Sequence, residues 1–131
     1  MGVIILAPNP YQKYKETSIN TASKEEITLM LYEGCIKFMN LARIGIEEKN
    51  IQKANENLIK AQNIVTELDI TLNMDIPISK NFHQLYDFVL SRLIDANIKK
   101  DVTFIDDAKL VMVDLRDGWK EAMPLMRKAQ K

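Results

Sequence analysis

From Ile51 to Leu72 the apolar residues Ile51, Ala54, Leu58, Ala61, Val65, Leu68 and Leu72 alternate steps of three and four without a break. At about 100° per residue those steps stay on one side of an α-helix, so they draw a seam that has to be packed along its length. Asn50 stands where a cap belongs, and Asp75 with Pro77 ends the run. The rest of the chain must supply the surfaces that cover this seam.

Three further stretches do so with the same period. Ser23 to Glu48 opens on a capping box, Ser23 with Glu26, in which each side chain satisfies a backbone donor that the first turn leaves open. Its apolar residues form two adjoining stripes. Ile27, Met30, Leu31, Cys35, Phe38, Leu41 and Ala42 make one, and Leu29, Tyr32, Ile36, Met39 and Ile46 the other; only the arc through Glu33, Lys37, Asn40 and Glu47 is polar. Either this helix sits in the middle of its domain, or part of it waits for a further partner. Ser79 caps a third predicted helix with Phe82, Leu85, Tyr86, Val89, Leu93 and Ala96 inward. Asp101 caps a fourth with Ile105, Ala108, Met112, Leu115, Trp119 and Ala122 inward, and Pro124 allows one more turn at best.

Short connections between long amphipathic helices make neighbours antiparallel. The expected fold is all-α: an antiparallel up-down four-helix bundle over residues 21–123, an N-terminal arm over 1–20 and a C-terminal tail over 124–131, with room for a short extra helix at a terminus. No segment alternates with period two over a strand's length, and no internal repeat of 20 to 50 residues is present.

Composition narrows the function. Eighteen basic and 18 acidic residues cancel and are interleaved, which leaves no electrostatic footprint for nucleic acid or an anionic membrane. The opening MGVIILAP lacks the basic flank and length of a secretory signal, and no run approaches a membrane span, so a cytoplasmic protein is expected. Cys35, the single cysteine, falls on an apolar stripe and reads as a small buried hydrophobe in a reducing compartment. His83 is the single histidine. Asp87 follows one turn later, but no third ligand or nucleophile accompanies the pair by motif, so neither a catalytic centre, a metal site nor a cofactor is expected. Gly2, Gly34, Gly45 and Gly118 are too scattered for a phosphate loop; Gly34 and Gly45 instead suggest close approach of a neighbouring backbone.

Several apolar residues miss the inner faces: Ile59 and Ile70 on the second helix, Phe88 on the third, and Val102, Leu110 and Val113 on the fourth. Together with the second stripe of the first helix they suggest a groove for another protein, although isolated exposed hydrophobes are ordinary. In the arm, Tyr11 and Tyr14 are spaced to lie on one face of a short helical turn and to offer two rings to such a groove, with a disordered tail as the competing reading.

The segments NPYQKY at 9–14, TASKEEITLMLYEG at 21–34, KAQNIVTELDITLNMD at 60–75, LYDF at 85–88, RLIDANIKKD at 92–101 and LRDGW at 115–119, in that order and spacing, resemble the FliS family, the flagellin-specific export chaperones of bacteria. The resemblance implies a cytosolic bundle that binds the disordered C-terminal segment of flagellin, prevents premature polymerisation and assists delivery to the flagellar type III export apparatus, with export-gate components as further partners. It also implies that the arm, through Tyr11 and Tyr14, covers part of the client surface when flagellin is absent. By wheel position, Tyr32, Ile36, Met39, Leu110 and Val113 are the expected client-binding residues. A monomer or weak homodimer is expected. The competing readings are a self-associating bundle whose surplus apolar surface is a homodimer interface, and a flagellar regulator that binds another protein through the same groove.

Overall fold

The structure, a computed structural model, describes residues 23–129. Four helices follow one another: α1 (Lys24–Glu47), α2 (Ile51–Ile70), α3 (Ile78–Lys99) and α4 (Val102–Ala129). No strand occurs among the described residues, and none of their helices is long and apolar enough to cross a membrane. Helix α1 packs on α2 and α4, and α3 packs on the same two, which closes an antiparallel ring of four. Both stripes of α1 are taken up in that ring: Cys35 of one lies against the Ala61 carbonyl on α2, and Tyr32 of the other meets Tyr86 on α3 and Trp119 on α4.

The first helix begins as expected. Ser23 Oγ accepts from the Glu26 N–H at 3.2 Å, and Glu26 Oε1 accepts from the Ser23 N–H at 3.3 Å. It ends in a Schellman turn: the Asn50 N–H reaches back to the Gly45 carbonyl at 2.8 Å, and the Lys49 N–H to the Ile46 carbonyl at 3.0 Å. Lys49 occupies the left-handed position, at φ 59°. Asn50 then caps α2 by accepting from the Lys53 N–H at 3.0 Å, so one short turn satisfies the ends of two helices. Gly45 makes this tightness possible, because a Cβ there would lie 2.7 Å from the Ala54 nitrogen. Gly34 faces a side chain instead, with Ile64 Cδ1 3.4 Å from where its Cβ would be.

Two boundaries differ from expectation. Helix α3 starts at Ile78 with Pro77 in the cap position and no side-chain cap. Ser79 is buried inside the first turn, where turn bonds from Ser79 N–H to the Ile76 carbonyl and from Lys80 N–H to the Pro77 carbonyl replace a cap. Helix α4 continues through Pro124 to Ala129 rather than giving way to a tail. Met123, one residue before the proline, is buried. Lys120 and Pro124 are both exposed, so the carbonyl that loses its helical donor can be hydrated. Asp101 caps α4 as expected, accepting from the Thr103 N–H at 2.9 Å and its hydroxyl at 2.8 Å; these bonds hold its carboxyl below the usual range.

The core runs the length of the ring, from Leu31, Cys35 and Ala42 on α1 through Leu58, Ala61 and Val65 on α2 and Val89 and Leu93 on α3 to Ile105, Ala108 and Met112 on α4. Ile64 joins it although the seam omits it, while Ile51 and Leu85, expected inside, are exposed. Ile51 is the first residue of its helix, beyond the point where a neighbour covers it.

Candidate interaction surface

Of the residues expected at a partner surface, Tyr11 and Tyr14 lie outside the described residues. The five others do not form one groove. Tyr32, Ile36 and Met39 are core residues, with relative exposures of 2%, 7% and 0%. Tyr32 donates to or accepts from the Tyr86 hydroxyl at 2.7 Å and makes a T-shaped contact with Trp119, the ring centres 6.3 Å apart, while the Trp119 indole N–H donates to the Glu25 carbonyl at 2.8 Å. The second stripe of α1 is thus consumed by the bundle.

Leu110 is different. It is 67% exposed and lies about 180° around α4 from the core face made by Ile105, Ala108 and Met112. Val113, one turn on, is half-buried and touches the core from the flank. The other outward positions divide in the same way: Ile59, Ile70 and Phe88 are exposed, and Val102 is half-buried.

Between α3 and α4 the structure assembles a feature that wheel positions did not single out. The Arg92 guanidinium lies over two rings, 5.7 Å from the centre of Phe88 and 5.0 Å from that of Phe104, and Lys99 Nζ is 5.1 Å from the Phe104 ring. Asp95 accepts from Arg92 at 3.0 Å, leaving the Arg92 Nε buried without a partner. Such cation–π contacts contribute roughly 0.5–1 kcal/mol each at exposed sites. The i, i+4 spacing of Phe88 and Arg92 was readable; that Phe104 would close the stack from another helix was not. At the surface this seam offers aromatic faces beside fixed positive charge, suited to a chain with apolar side chains and acceptor groups.

The sequence matches the family described as "Flagellar protein FliS" over residues 7–126. The chain belongs to the FliS family. Among FliS-family relatives, "Flagellar secretion chaperone FliS" of Bacillus subtilis (strain 168) is 47% identical over 120 residues, covering 92% of this chain and 90% of the relative. The protein of the same description from Vibrio cholerae is 31% identical over 119 residues, with 86% and 88% covered. A solved structure, "Crystal structure of flagellar chaperone from bacteria", superposes with a TM-score of 0.72 at 27% identity and covers 88% of this chain and 95% of that one. The FliS match takes in all four helices nearly to the end of α4, and it begins before Tyr11 and Tyr14.

Proposed function

We propose that this FliS-family chain is a cytoplasmic export chaperone that binds the disordered C-terminal segment of flagellin, prevents its premature polymerisation and assists its delivery to the flagellar type III secretion apparatus. The observation that carries the reading is the near full-length similarity to flagellar secretion chaperones, 47% identity across 92% of the chain for the Bacillus subtilis relative. The surface chemistry supports it. A client segment that folds on binding buries about 1,000–3,000 Å² and gives up about 2–5 kcal/mol in ordering, so it needs extended apolar contacts beyond a monomer's own core. Leu110 with Val113 beside it, and the Phe88–Arg92–Phe104 seam, are the contact residues of this proposal. Tyr32, Ile36 and Met39, buried in the bundle, are not among them. Tyr11 and Tyr14 cover part of the client surface until the client arrives.

The test is a pull-down with intact flagellin and with flagellin truncated at its C-terminus. Capture of the first and loss of the second is expected; equal capture overturns the assignment of the client segment. Leu110→Asp should abolish binding of a flagellin C-terminal peptide while circular dichroism stays native, and undiminished binding removes Leu110 from the surface. Sedimentation distinguishes the other use of the same apolar face: a monomer forming a one-to-one peptide complex supports the chaperone reading, and a stable homodimer that excludes the peptide contradicts it.

A further inference from the structure

A cluster at the α2–α3 end of the bundle lies outside the chaperone surface. Asp69 sits in the last turn of α2, and His83 and Asp87 stand one turn apart on α3. His83 Nδ1 is 2.7 Å from Asp69 Oδ1, and its Nε2 is 3.3 Å from Asp87 Oδ2. Each residue offers one ligand atom, and these atoms all lie within 4.8 Å of one another. Asp69 is the third donor missing from the linear motif, brought from 14 residues upstream by the antiparallel packing of α2 on α3.

We propose that Asp69, His83 and Asp87 form a binding site for one divalent transition-metal ion of the Zn²⁺ class, which ties the end of α2 to the start of α3. Donors bound at 2.0–2.1 Å to a tetrahedral ion stand roughly 3.3 Å from one another, a spacing that His83 Nε2 and Asp87 Oδ2 already hold. Asp69, hydrogen-bonded to the other ring nitrogen in this structure, joins the same ion by a rotation of its side chain, its ligand atom lying within 4.8 Å of the others. Two carboxylates carry the charge that a dication cancels. The imidazole nitrogen selects a borderline ion over Mg²⁺ or Ca²⁺, which favour all-oxygen shells. With side-chain exposures of 30%, 40% and 63% for Asp69, His83 and Asp87, the site is open to water, which completes the coordination, and three protein donors with open positions is the pattern of an exchangeable ion rather than a closed structural one. The ion would brace the connection between α2 and α3, on and beside which Ile70, Met74, Ile76 and Ile78 are all exposed.

His83 is the single histidine, so its imidazole resonances report ligation without ambiguity. Tag-free full-length protein, stripped with chelator, is titrated with ZnCl₂ at neutral pH by calorimetry and by NMR of the imidazole. One ion per chain and a shift of the His83 ring signals are expected. Asp69→Asn and His83→Gln should each weaken binding by about tenfold or more, with native circular dichroism. Because Asp87 is exposed, Asp87→Asn gives a folded control that should also weaken binding. Unshifted ring signals, Zn²⁺ binding undiminished in His83→Gln, or an equal response to MgCl₂ would each overturn the site.

Discussion

The hydroxyls of Tyr32 and Tyr86 meet 2.7 Å apart inside the core. Their helices, α1 and α3, stand at opposite corners of the ring, each packed on α2 and α4, so the pair is a polar strut across the diagonal. Burial pushes both phenols above their ordinary range, which keeps both neutral and able to share one hydrogen bond.

Removing one hydroxyl orphans the other. Tyr32→Phe and Tyr86→Phe should each lower stability by about 1–3 kcal/mol, while the double variant should cost clearly less than the sum, because neither buried group is then left unpaired. Urea denaturation of the four proteins closes the cycle; strictly additive losses would mean that the bond contributes nothing of its own.

Gly45→Ala tests the tight turn between α1 and α2. Its methyl group would meet the Ala54 nitrogen at 2.7 Å and its Cα at 3.0 Å, and backbone yields less readily than a side-chain tip. A loss of about 1–3 kcal/mol is expected, despite alanine's better helix propensity. Gly118→Ala, where nothing lies within 4 Å of the added carbon, should instead stabilise α4 by up to about 1 kcal/mol. Thermal melts of the two variants should therefore move in opposite directions.

Cys35 is fully buried, its thiol 3.7 Å from the Ala61 carbonyl, and burial pushes its pKa well above the ordinary range. Thiolate is the reactive form. Maleimide labelling of the native protein should consequently be slow and should accelerate with denaturant in step with unfolding; rapid labelling under native conditions would show that the α1–α2 interface opens locally.

Asp101 sets an acid limit for the start of α4. Its folded carboxyl lies below the usual value because Thr103 donates to it from backbone and side chain. A depressed folded pKa contributes stability that is present above the unfolded value and lost as pH falls through the folded one. The melting temperature of the wild type should exceed that of Asp101→Ala at neutral pH, and the gap should narrow below pH 4. A gap independent of pH would assign the effect to something other than the ionised cap.

Period and punctuation carried the architecture. The seam of α2 put Ala54, Leu58, Ala61, Val65 and Leu68 in the core, and Ser23, Asn50 and Asp101 cap the helices they were expected to cap. Ser79 misled because its neighbours Ile76 and Pro77 can accept the first-turn donors themselves, which a single-residue preference does not register. The candidate surface was legible only one helix at a time. A wheel separates Leu110 from its own core face, but it cannot tell whether the second stripe through Tyr32, Ile36 and Met39 is covered, since that depends on side chains such as Tyr86 and Trp119 reaching it from other helices. Features made between helices, the Phe88–Arg92–Phe104 stack and the approach of Asp69 to His83, carry no periodic signature.

Trp119 is the one tryptophan of the chain. It is half-buried on α4, and its indole N–H is held by the Glu25 carbonyl in the opening turn of α1, two residues from Ser23, where the N-terminal segment joins the bundle. The molecule thus contains an intrinsic fluorophore wired to the root of that segment. Emission wavelength and quenching at this one ring give an optical record of any event that tugs on the junction, without a label and on the timescale of stopped-flow mixing.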